Sequence, residues 1–343
     1  MFINIPCEIL NHSWDPLVSV TIIAITGIAS TLARAIVPRL LSEPAIEKII
    51  GVDIRKPEYL QSEKIEFWQV DVRNIEALKK AFERIDILLH LAFIVIDNIP
   101  DRATIDAINI TGSMNVFQAA VTGGARKIIH LSSVAAYGMF PDTPPQLVEN
   151  DPLRGGQNVN FYYPYAKAIV EEYLNTFEEQ HPTVCVTRFR PHVIAGPKFA
   201  AYTNNLNIIL NPLRKRHIAW MFKPKNADSM LLQFTHEEDL AEAIMMAIRQ
   251  DLPGAFNIAS MPIDHAKFLN QRGVKVRWIP WCIADFGIAC GSLFSRRLRQ
   301  LRAWIVGIKY QIIVSSNKLK SRGFSFKFPT TDAIIDDLLN ASE

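Results

Sequence analysis

The sequence predicts an α/β fold in which a doubly wound parallel sheet carries helices on both faces. Short apolar runs of strand length alternate along the chain with longer stretches whose apolar residues recur at helical spacing. The short runs are apolar almost throughout, which is typical of parallel strands buried on both faces. The repeated order of strand, helix and strand predicts right-handed crossovers and one large sheet.

The predicted strands and helices follow one another in a regular order. The strands cover residues 21–26, 49–53, 66–70, 87–92, 127–132 and 184–189. The helices between them cover residues 31–41, 75–85, 105–122 and 166–180. Each strand is a short apolar run, and each helix has the length and spacing that a crossover needs.

Local signals mark the start of two helices. Asp71 is a candidate N-cap for the helix that begins near Asn74, since its carboxylate can accept hydrogen bonds from backbone amides. Thr235, followed three residues later by Glu238, forms a capping box for a helix over residues 237–249. The residues around this second start are therefore interpreted as structural.

The chain is long enough for a nucleotide-binding domain and a smaller lobe. Residues 1–18 are interpreted as an N-terminal extension, because this stretch contains acidic residues and lacks the basic start of a targeting signal. Residues 19–198, with a strand near 254–259, form the predicted sheet domain. Residues 199–253 and 260–343 form the predicted interleaved substrate lobe over the strand ends, where open α/β sheets bind ligands.

Composition excludes several classes of protein. The chain has 343 residues, 49% of them hydrophobic and 21% charged, which allows a large core. A net charge of +3 is too small to imply a nucleic-acid partner. The four cysteines show neither a CxxC pair nor metal-ligand spacing, so we expect no disulfide framework and no metal site. The expected compartment is the reducing cytoplasm.

The loop after the first predicted strand resembles a dinucleotide-binding loop with two glycines replaced. Such a loop would place glycines at Gly27, Ser30 and Ala33, and only the first is present. Ser30 and Ala33 are small, so close approach of a pyrophosphate is weakened but retained. Asp53 ends the second strand, where a carboxylate accepts hydrogen bonds from ribose hydroxyls and repels a 2′-phosphate. NAD is therefore favoured over NADP, although the nearby Arg55 leaves NADP open.

A tyrosine and a lysine four residues apart form the candidate acid/base pair. Tyr163 and Lys167 lie on one face of a helix if that helix opens at Tyr163, because Pro164 is tolerated only in a first turn. A phenol near its free pKa of about 10 is a poor base at neutral pH, and a neighbouring ammonium favours the phenolate. Ser133 follows the fifth strand and supplies a hydroxyl. The set predicts proton exchange with an alcohol or carbonyl.

In their order along the chain, these motifs resemble the extended short-chain dehydrogenase/reductases, the NAD-dependent epimerase/dehydratase family. The resemblance runs from about Val20 to Leu339. It includes the loop, Val70-Asp71-Val72, Leu89-His90-Leu91-Ala92, Asn109-Ile110-Thr111-Gly112, Leu131-Ser132-Ser133, the Tyr163/Lys167 pair, Arg188-Phe189-Arg190-Pro191, residues 236–241 and residues 254–259.

The resemblance implies a role for each matching residue. Tyr163 would be the general acid/base, Lys167 would hold the nicotinamide ribose, Ser133 would bind the reacting carbonyl, and Asn109 would prop a bend in its helix. The implied cofactor contacts are Gly27, Ser30, Thr31, Leu32, Asp53, Asp71, Val72, Leu91, Ala92, Tyr163, Lys167, Arg190 and Pro191. A homodimer is usual in the resembled family.

The reaction and the substrate stay open at this point. Sugar dehydratases of the family place an acidic pair shortly after the catalytic hydroxyl, whereas this chain has Val134-Ala135-Ala136. Epimerisation, dehydrogenation and reduction remain. Arg190 and the basic residues 214–216 would suit a nucleotide-sugar diphosphate, and residues 214–216 fit a solvated charge run equally well. The alternative to an enzyme is a catalytically silent NAD(P)-binding sensor or scaffold, suggested by the replaced glycines.

Residues 278–327 depart from a plain sugar enzyme. Residues 278–294 are aromatic and apolar, and no acidic residue stands between Phe286 and Thr331 while basic residues are frequent. This composition suits contact with an anionic bilayer at the inner membrane face, or a sterol or prenyl-linked substrate. The favoured interpretation is that the apolar part packs the small lobe and that the basic part is solvated.

Overall fold

The computed structural model describes residues 20–59, 61–95, 101–158, 161–200, 207–215, 218–225, 227–283, 307 and 309–341. Its strands are β1 (Thr21–Thr26), β2 (Ile46–Asp53), β3 (Ile65–Gln69), β4 (Ile87–His90), β5 (Lys127–Leu131), β6 (Cys185–Pro191), β7 (Val193–Ala195), β8 (Ala219–Met221), β9 (Leu231–Leu232), β10 (Phe234–His236), β11 (Gly254–Ile258), β12 (Ile263–Asp264) and β13 (Val276–Trp278).

The helices connect these strands. They are α1 (Thr31–Leu41), α2 (Ile75–Ala81), α3 (Arg102–Asp106), α4 (Gly112–Thr122), α5 (Tyr162–Gln180), α6 (Pro197–Ala200), α7 (Asn207–Lys215), α8 (Glu237–Arg249), α9 (His265–Gln271), α10 (Asn317–Ser321) and α11 (Thr331–Asn340). Short 3₁₀ turns cover Val134–Tyr137 and Gly155–Gln157.

Seven parallel strands form the main sheet, which confirms the predicted fold class. Their order is β11-β6-β5-β4-β1-β2-β3. The chain runs outward from β1 through β2 to β3, and then returns to β4 and runs outward the other way. The carboxyl ends of β1 and β4 therefore flank the topological switch point, where sheets of this kind bind ligands.

Most predicted elements agree with the structure, and three helices differ. The helix predicted over residues 166–180 begins earlier, at Tyr162. The predicted helix over residues 105–122 is divided into α3, a π-helical turn over Ala107–Thr111, and α4. The helix predicted to reach residue 85 ends at Ala81. Arg84 follows it with a φ of 59°, a left-handed conformation that no helix can continue.

The predicted capping box of α8 is wrong. His236, not Thr235, is the N-cap, and its Nδ1 accepts a hydrogen bond from the Glu238 backbone amide at 3.1 Å. Thr235 lies within β10, and its hydroxyl donates to the Ile258 carbonyl of β11. The Thr235 hydroxyl therefore bonds to another strand and does not cap α8.

Two apolar layers bury the faces of the main sheet. Helices α1 and α8 cover one face, with Ile36 and Ile244 fully buried in the layer they form. Helices α2, α4 and α5 cover the other face, where Phe117 and Phe177 are buried. Burial of side chains of this size contributes roughly 1.5–3 kcal/mol each.

A separate cluster of buried apolar residues belongs mainly to the second half of the chain. It joins β8, β10, α9 and α11 through residues such as Met221, Phe234, Phe268 and Ile334. The strand β11, in contrast, pairs with β6 at the edge of the main sheet, as the strand predicted near 254–259 requires. The assignment of these parts to two domains stays a prediction, and residues 1–18 lie outside the described residues.

A pair of stacked histidines lies inside the sheet. His90 of β4 and His130 of β5 are each 1% exposed, and their ring centroids are 5.4 Å apart. His90 contacts the Thr26 hydroxyl at 2.6 Å and the Ser113 hydroxyl at 2.9 Å. Neither ring nitrogen of His130 has a hydrogen-bond partner among the described residues. Burial lowers the pKa of His90 to about 3 and that of His130 well below its usual value.

The buried histidine ring of His130 should make stability fall in acid. The folded state resists the proton that the unfolded chain accepts below pH about 6.5, so unfolding free energy is lost as pH falls from there toward the folded pKa. The slope is about 1.4 kcal/mol per pH unit for one such group. We expect His130→Leu to reduce the acid slope by that amount in urea unfolding measured at several pH values.

The matched control is His181→Leu, which changes a half-buried histidine at the end of α5. Equal acid slopes for the wild type and His130→Leu would contradict the assignment of this ring as a buried neutral group.

Candidate active site

The loop after β1 packs directly against the segment that follows β4. Gly27 has a φ of 72°, and a Cβ at this position would stand 2.6 Å from the Ala92 backbone nitrogen and 2.9 Å from the Leu91 carbonyl carbon. Only glycine meets both the left-handed conformation and the close approach. The structure therefore brings together three of the predicted cofactor residues at the switch point of the sheet.

The two replaced glycine positions have separate structural roles. Ser30 is the N-cap of α1, and its Oγ accepts a hydrogen bond from the Ala33 amide at 3.2 Å. Ala33 is fully buried in the layer between α1 and the sheet. Thr31 and Leu32 form the first turn of α1, and the amides at the start of a helix are the groups that bind anions in other proteins.

Asp53 lies beside this loop, as predicted. Its Oδ2 accepts from the Ala29 amide at 3.0 Å, and its Oδ1 accepts from the Arg55 amide at 3.2 Å. The carboxylate thus fixes the loop while remaining half-buried at its rim.

Tyr59 is a loop residue that sequence reasoning missed. Its hydroxyl donates to the Ile28 carbonyl, and the Arg34 guanidinium stands 4.8 Å from the centre of its ring. Burial raises the pKa of Tyr59 to about 12, so the hydroxyl keeps its proton for this hydrogen bond. No local pattern could have identified it, because the contact spans 31 residues of chain.

Asp71 and Val72 follow β3, next to the end of β2, where the Val70 amide donates to the Asp53 carbonyl at 3.1 Å. The Asp71 carboxylate accepts from the Arg73 backbone amide at 2.9 Å and pairs with the Arg73 guanidinium at 2.6 Å. Asn74, not Asp71, is the N-cap of α2. Val72 packs closely on Gly112 of α4, where a Cβ would meet its Cγ2 at 2.5 Å.

Ser133 and Tyr163 meet at the carboxyl end of β5. Ser133 is buried and accepts a hydrogen bond from the Ala135 amide at 3.1 Å. A side-chain hydrogen bond joins it to Tyr163, which stands in the first turn of α5 as Pro164 requires. The Phe93 ring contacts Tyr163 edge to face at 5.9 Å.

Lys167 stands one helical turn after Tyr163 and is 3% exposed. Its Nζ donates to the Leu131 carbonyl at 2.7 Å and lies 3.5 Å from the centre of the Phe93 ring. Burial lowers the pKa of Lys167 to about 7, against an opposing effect of the Glu171 carboxylate. The pKa of an unperturbed lysine is about 10.4, so burial in the protein interior disfavours the charged form of Lys167.

The phenol of Tyr163 differs from the expectation drawn from its spacing. Burial raises the pKa of Tyr163, and the hydrogen bond with Ser133 only partly opposes this. The Lys167 ammonium does not lower it because the Nζ is directed to Leu131 and Phe93, 5.9 Å from the centre of the tyrosine ring. In this arrangement the tyrosine oxygen holds its proton at neutral pH.

Asn109 lies in the π-helical turn and is fully buried. Its Oδ1 accepts from the Ile94 amide at 2.8 Å, and its Nδ2 donates to the Ile94 carbonyl at 2.9 Å. Ser113 donates to the Asn109 carbonyl at 2.6 Å and also contacts His90. The asparagine thus holds the segment after β4 in place.

Arg190 lies in a buried ion pair and does not face the crevice. It is 4% exposed, and its guanidinium binds Glu171 of α5 in a bidentate manner at 2.9 and 2.6 Å. A further nitrogen donates to the Tyr137 hydroxyl at 2.8 Å. The hypothesis that this guanidinium binds a diphosphate is corrected, since its donors are used inside the protein. Pro191 is buried at the end of β6.

Sequence reasoning missed two residues that shape the site. Glu171, fully buried, binds Arg190 and accepts a hydrogen bond from the Ser132 hydroxyl. Phe93 contacts both Tyr163 and the Lys167 ammonium. The spacing of Glu171 four residues after Lys167 is a signal that could have found it.

Two further properties concern only the described part of the chain. Within it, no three His, Cys, Asp or Glu side chains come together as a potential metal site. No helix within the same ranges is both long and apolar enough to cross a bilayer.

Comparison with known proteins places the chain in a family. The sequence model of the NAD dependent epimerase/dehydratase family matches residues 23–259. The chain therefore belongs to this family, the extended short-chain dehydrogenase/reductases, as its motifs predicted.

The similar proteins are distant. An uncharacterized protein of Mycobacterium tuberculosis is 24% identical over 327 residues, covering 92% of this chain and 82% of that protein. The N-acetyl-alpha-D-glucosaminyl-diphospho-ditrans,octacis-undecaprenol 4-epimerase of Escherichia coli O157:H7 is 31% identical over 137 residues, covering 40% of this chain and 39% of that protein. The NAD complex of UDP-glucose 4-epimerase from Thermus thermophilus has a TM-score of 0.64 at 18% identity, covering 94% of this chain and 100% of that chain.

Replacing Gly27 with alanine should lower the stability of the protein and distort the loop after β1. A left-handed alanine costs about 1–2 kcal/mol, and its Cβ must also displace the Ala92 backbone. We expect Gly27→Ala to lose more than about 2 kcal/mol in urea unfolding and to weaken dinucleotide binding. Gly273→Ala is the control, since that glycine has a φ of 78° with nothing within 4 Å. Equal losses in the two variants would contradict the close approach.

Replacing Arg190 with methionine tests its structural role. The change leaves the Glu171 carboxylate buried without its partner, so we expect a loss of about 3–5 kcal/mol in unfolding free energy. Arg73→Met, which breaks an exposed pair with Asp71, should cost about 1 kcal/mol or less. Adding Glu171→Leu to Arg190→Met should recover part of the loss. An Arg190→Met protein of unchanged stability would return the guanidinium to consideration as a ligand group.

Proposed function

We propose that this protein is an NAD-dependent oxidoreductase or epimerase that acts on a hydroxyl or keto group of its substrate. The observation that carries the proposal is the hydrogen-bonded pair of Ser133 and Tyr163, with the buried Lys167 one turn away, at the end of β5. A protein that only bound nucleotide would have no physical need for this set.

The three side chains have different roles in the transfer of one proton. The Tyr163 oxygen holds its proton at neutral pH, so the phenol is ready to donate to a keto oxygen. Ser133 lies beside that oxygen and orients the same substrate atom. The reverse step, removal of a proton from an alcohol, requires the phenolate, which the hydrogen bond with Ser133 favours. With a pKa of about 7, Lys167 is near half-charged at neutral pH.

The residues around the switch point fit a nicotinamide dinucleotide. Gly27 permits close backbone approach, and the first turn of α1 offers amides to a pyrophosphate. Asp53 stands where it would accept the ribose hydroxyls, which supports NAD over NADP. When bound, the dinucleotide supplies the donor and acceptor of the hydride.

Elimination of water is the less favoured reaction. The residues after Ser133 form the 3₁₀ turn Val134–Tyr137, which is buried and carries no carboxylate. Epimerisation or a one-way oxidation or reduction needs only the acid/base set already described.

The substrate class is proposed from similarity to a known enzyme and not from the lining of a pocket. The Escherichia coli relative acts on a sugar linked through a diphosphate to a prenyl chain, as its name states. This supports a sugar-nucleotide-like or terpenoid-linked substrate. The alternative is a catalytically silent NAD(P) sensor or scaffold, favoured by Ser30 and Ala33 in glycine positions.

The test is a comparison of the wild type with Tyr163→Phe. Removing one hydroxyl should leave binding of NAD and NADH within about twofold and lower turnover by about 100-fold or more. Binding is measured by calorimetry with NAD, NADH, NADP and NADPH. Turnover is then screened with nucleotide sugars, prenyl-diphosphate sugars and sterols.

Tyr165→Phe is the matched control, because this tyrosine lies on the same helix under the Arg102 guanidinium. It should change neither binding nor turnover. Failure of all four dinucleotides to bind would overturn the oxidoreductase proposal. Binding without turnover of any of these substrates by the wild type would instead favour the sensor.

A further inference from the structure

The outer face of a small parallel sheet carries exposed apolar and basic side chains together. Strands β8 and β13 pair in a register that sets Trp220 opposite Arg277. Because side chains alternate along a strand, Ile218 and Trp220 share one face with Lys275 and Arg277. Trp220 is 65% exposed and Ile218 is 46% exposed. Isolated apolar residues are common on surfaces, but a tryptophan this exposed is not.

The sheet that presents this face is firmly attached. On its inner side, Ala219 and Met221 are buried in the apolar cluster of the second half of the chain. The Ala219 amide donates to the Lys275 carbonyl at 2.9 Å, and the Ile279 amide donates to the Met221 carbonyl at 2.8 Å. The outward direction of Trp220 is therefore fixed by the register.

One more apolar side chain extends the same region. Ile283 is 61% exposed. It lies two residues after Trp281, which stacks on Phe222 at 4.8 Å and donates its indole N–H to the Lys223 carbonyl, so the segment after β13 is tied to the segment after β8. Trp278 is paired with the inward-facing Met221 and belongs to the other face. We call Ile218, Trp220, Lys275, Arg277 and Ile283 the tryptophan surface.

Basic residues are concentrated in the two stretches of sequence that carry the tryptophan surface. Residues 211–230 and 273–283 contain seven lysines and arginines but only one acidic residue, Asp228. This local surplus exceeds the net charge of +3 of the whole chain. The remaining sequence is therefore net negative, so the basic character is a property of this region.

The combination fits the boundary of an anionic bilayer. Tryptophan rings settle at the level of the lipid headgroups, and aliphatic side chains reach the acyl boundary beneath. Lysine and arginine beside them are attracted by acidic headgroups, at about fivefold in binding per residue. A second copy of the chain fits poorly, because a symmetric contact would set the basic residues against one another. Nucleic acid would stack on Trp220 but offers no apolar layer for Ile218 and Ile283.

We propose that the tryptophan surface docks this protein on an anionic lipid bilayer. The inference goes beyond the proposed function, because docking requires neither cofactor nor turnover. It also places the membrane contact, which composition suggested for residues 278–327, mainly on β8 and β13. Residues 284–306 and 308 lie outside the described residues. Leu298, Leu301 and Ile305 are among them. Lys318 and Lys327, from the described part, instead bind the Ala255 carbonyl and Glu238.

The experiment is flotation of the full chain with vesicles of phosphatidylcholine alone or mixed equally with phosphatidylglycerol. We expect binding to the mixed vesicles only, and its loss at high salt. The tryptophan variant, Trp220→Ala combined with Ile218→Ala, should lower the partition coefficient by about tenfold or more. Lys275→Gln combined with Arg277→Gln should lower it by about 20-fold. Brominated acyl chains should quench tryptophan fluorescence of the wild type and much less that of the tryptophan variant.

Matched controls lie elsewhere on the molecule. Val20→Ala removes a side chain as exposed as Trp220, at 65%. Lys80→Gln combined with Arg126→Gln removes two exposed charges, from α2 and from the loop before β5. Both controls should bind vesicles like the wild type, and all variants should keep the circular dichroism and unfolding midpoint of the wild type.

Three outcomes would overturn the proposal. The first is a wild type that stays with the soluble fraction at every lipid composition. The second is vesicle binding that the tryptophan and charge variants retain in full. The third is a surface that serves another partner: dimers lost in the tryptophan variant, or tight binding of a single-stranded oligonucleotide, without vesicle binding. None of these results depends on dinucleotide binding, so they are separable from failure of the proposed function.

Discussion

The buried carboxylate of Glu171 is the group on which the geometry of the site depends. It joins α5 to β6 through the bidentate pair with Arg190, and to the end of β5 through the Ser132 hydroxyl. These three elements position Tyr163, Ser133 and Lys167. A buried ion pair of this kind is costly to desolvate and stable only when its hydrogen bonds are complete. Here Tyr137 occupies a remaining guanidinium donor, which completes the arrangement.

The same burial that fixes the acid/base residues opposes their ionisation. It raises the pKa of Tyr163 and lowers that of Lys167. Hydrogen bonding from Ser133 and the charge of Glu171 act in the opposite direction. At neutral pH the charged and neutral forms of Lys167 are therefore close in free energy, whereas Tyr163 holds its proton. A protonated phenol beside a lysine that can gain or lose its charge suits proton donation to a substrate oxygen.

The sheet separates the positions where different tasks are performed. The switch point between β1 and β4 brings the Gly27 loop against Leu91 and Ala92, while the end of β5 presents Ser133. The strand that carries Trp220 packs Ala219 and Met221 into the cluster of the second half of the chain, which is distinct from the layers on either face of the main sheet. The tryptophan surface therefore shares no residue with the acid/base set.

The sequence by itself determined the parallel sheet, the bounds of β1, α1 and α8, and the order in which the site residues follow the strands. These features are local, because hydrophobic periodicity, the small residues of the loop and Pro164 act within a few residues. Gly27 was identified as well, because a dinucleotide-binding loop begins with a glycine, although its left-handed conformation and its approach to Ala92 were not.

Only the tertiary structure decided which partner each polar group has. Arg190 is as plausible a phosphate ligand as an ion-pair partner until α5 places Glu171 beside it. Thr235 is a good cap by local rules, yet the strand β11 takes its hydroxyl. The direction of the Lys167 amine, and with it the proton state of Tyr163, depends on where Leu131 and Phe93 lie. Burial and long-range pairing arise from packing between distant segments, so they cannot be deduced from a pattern of neighbouring residues.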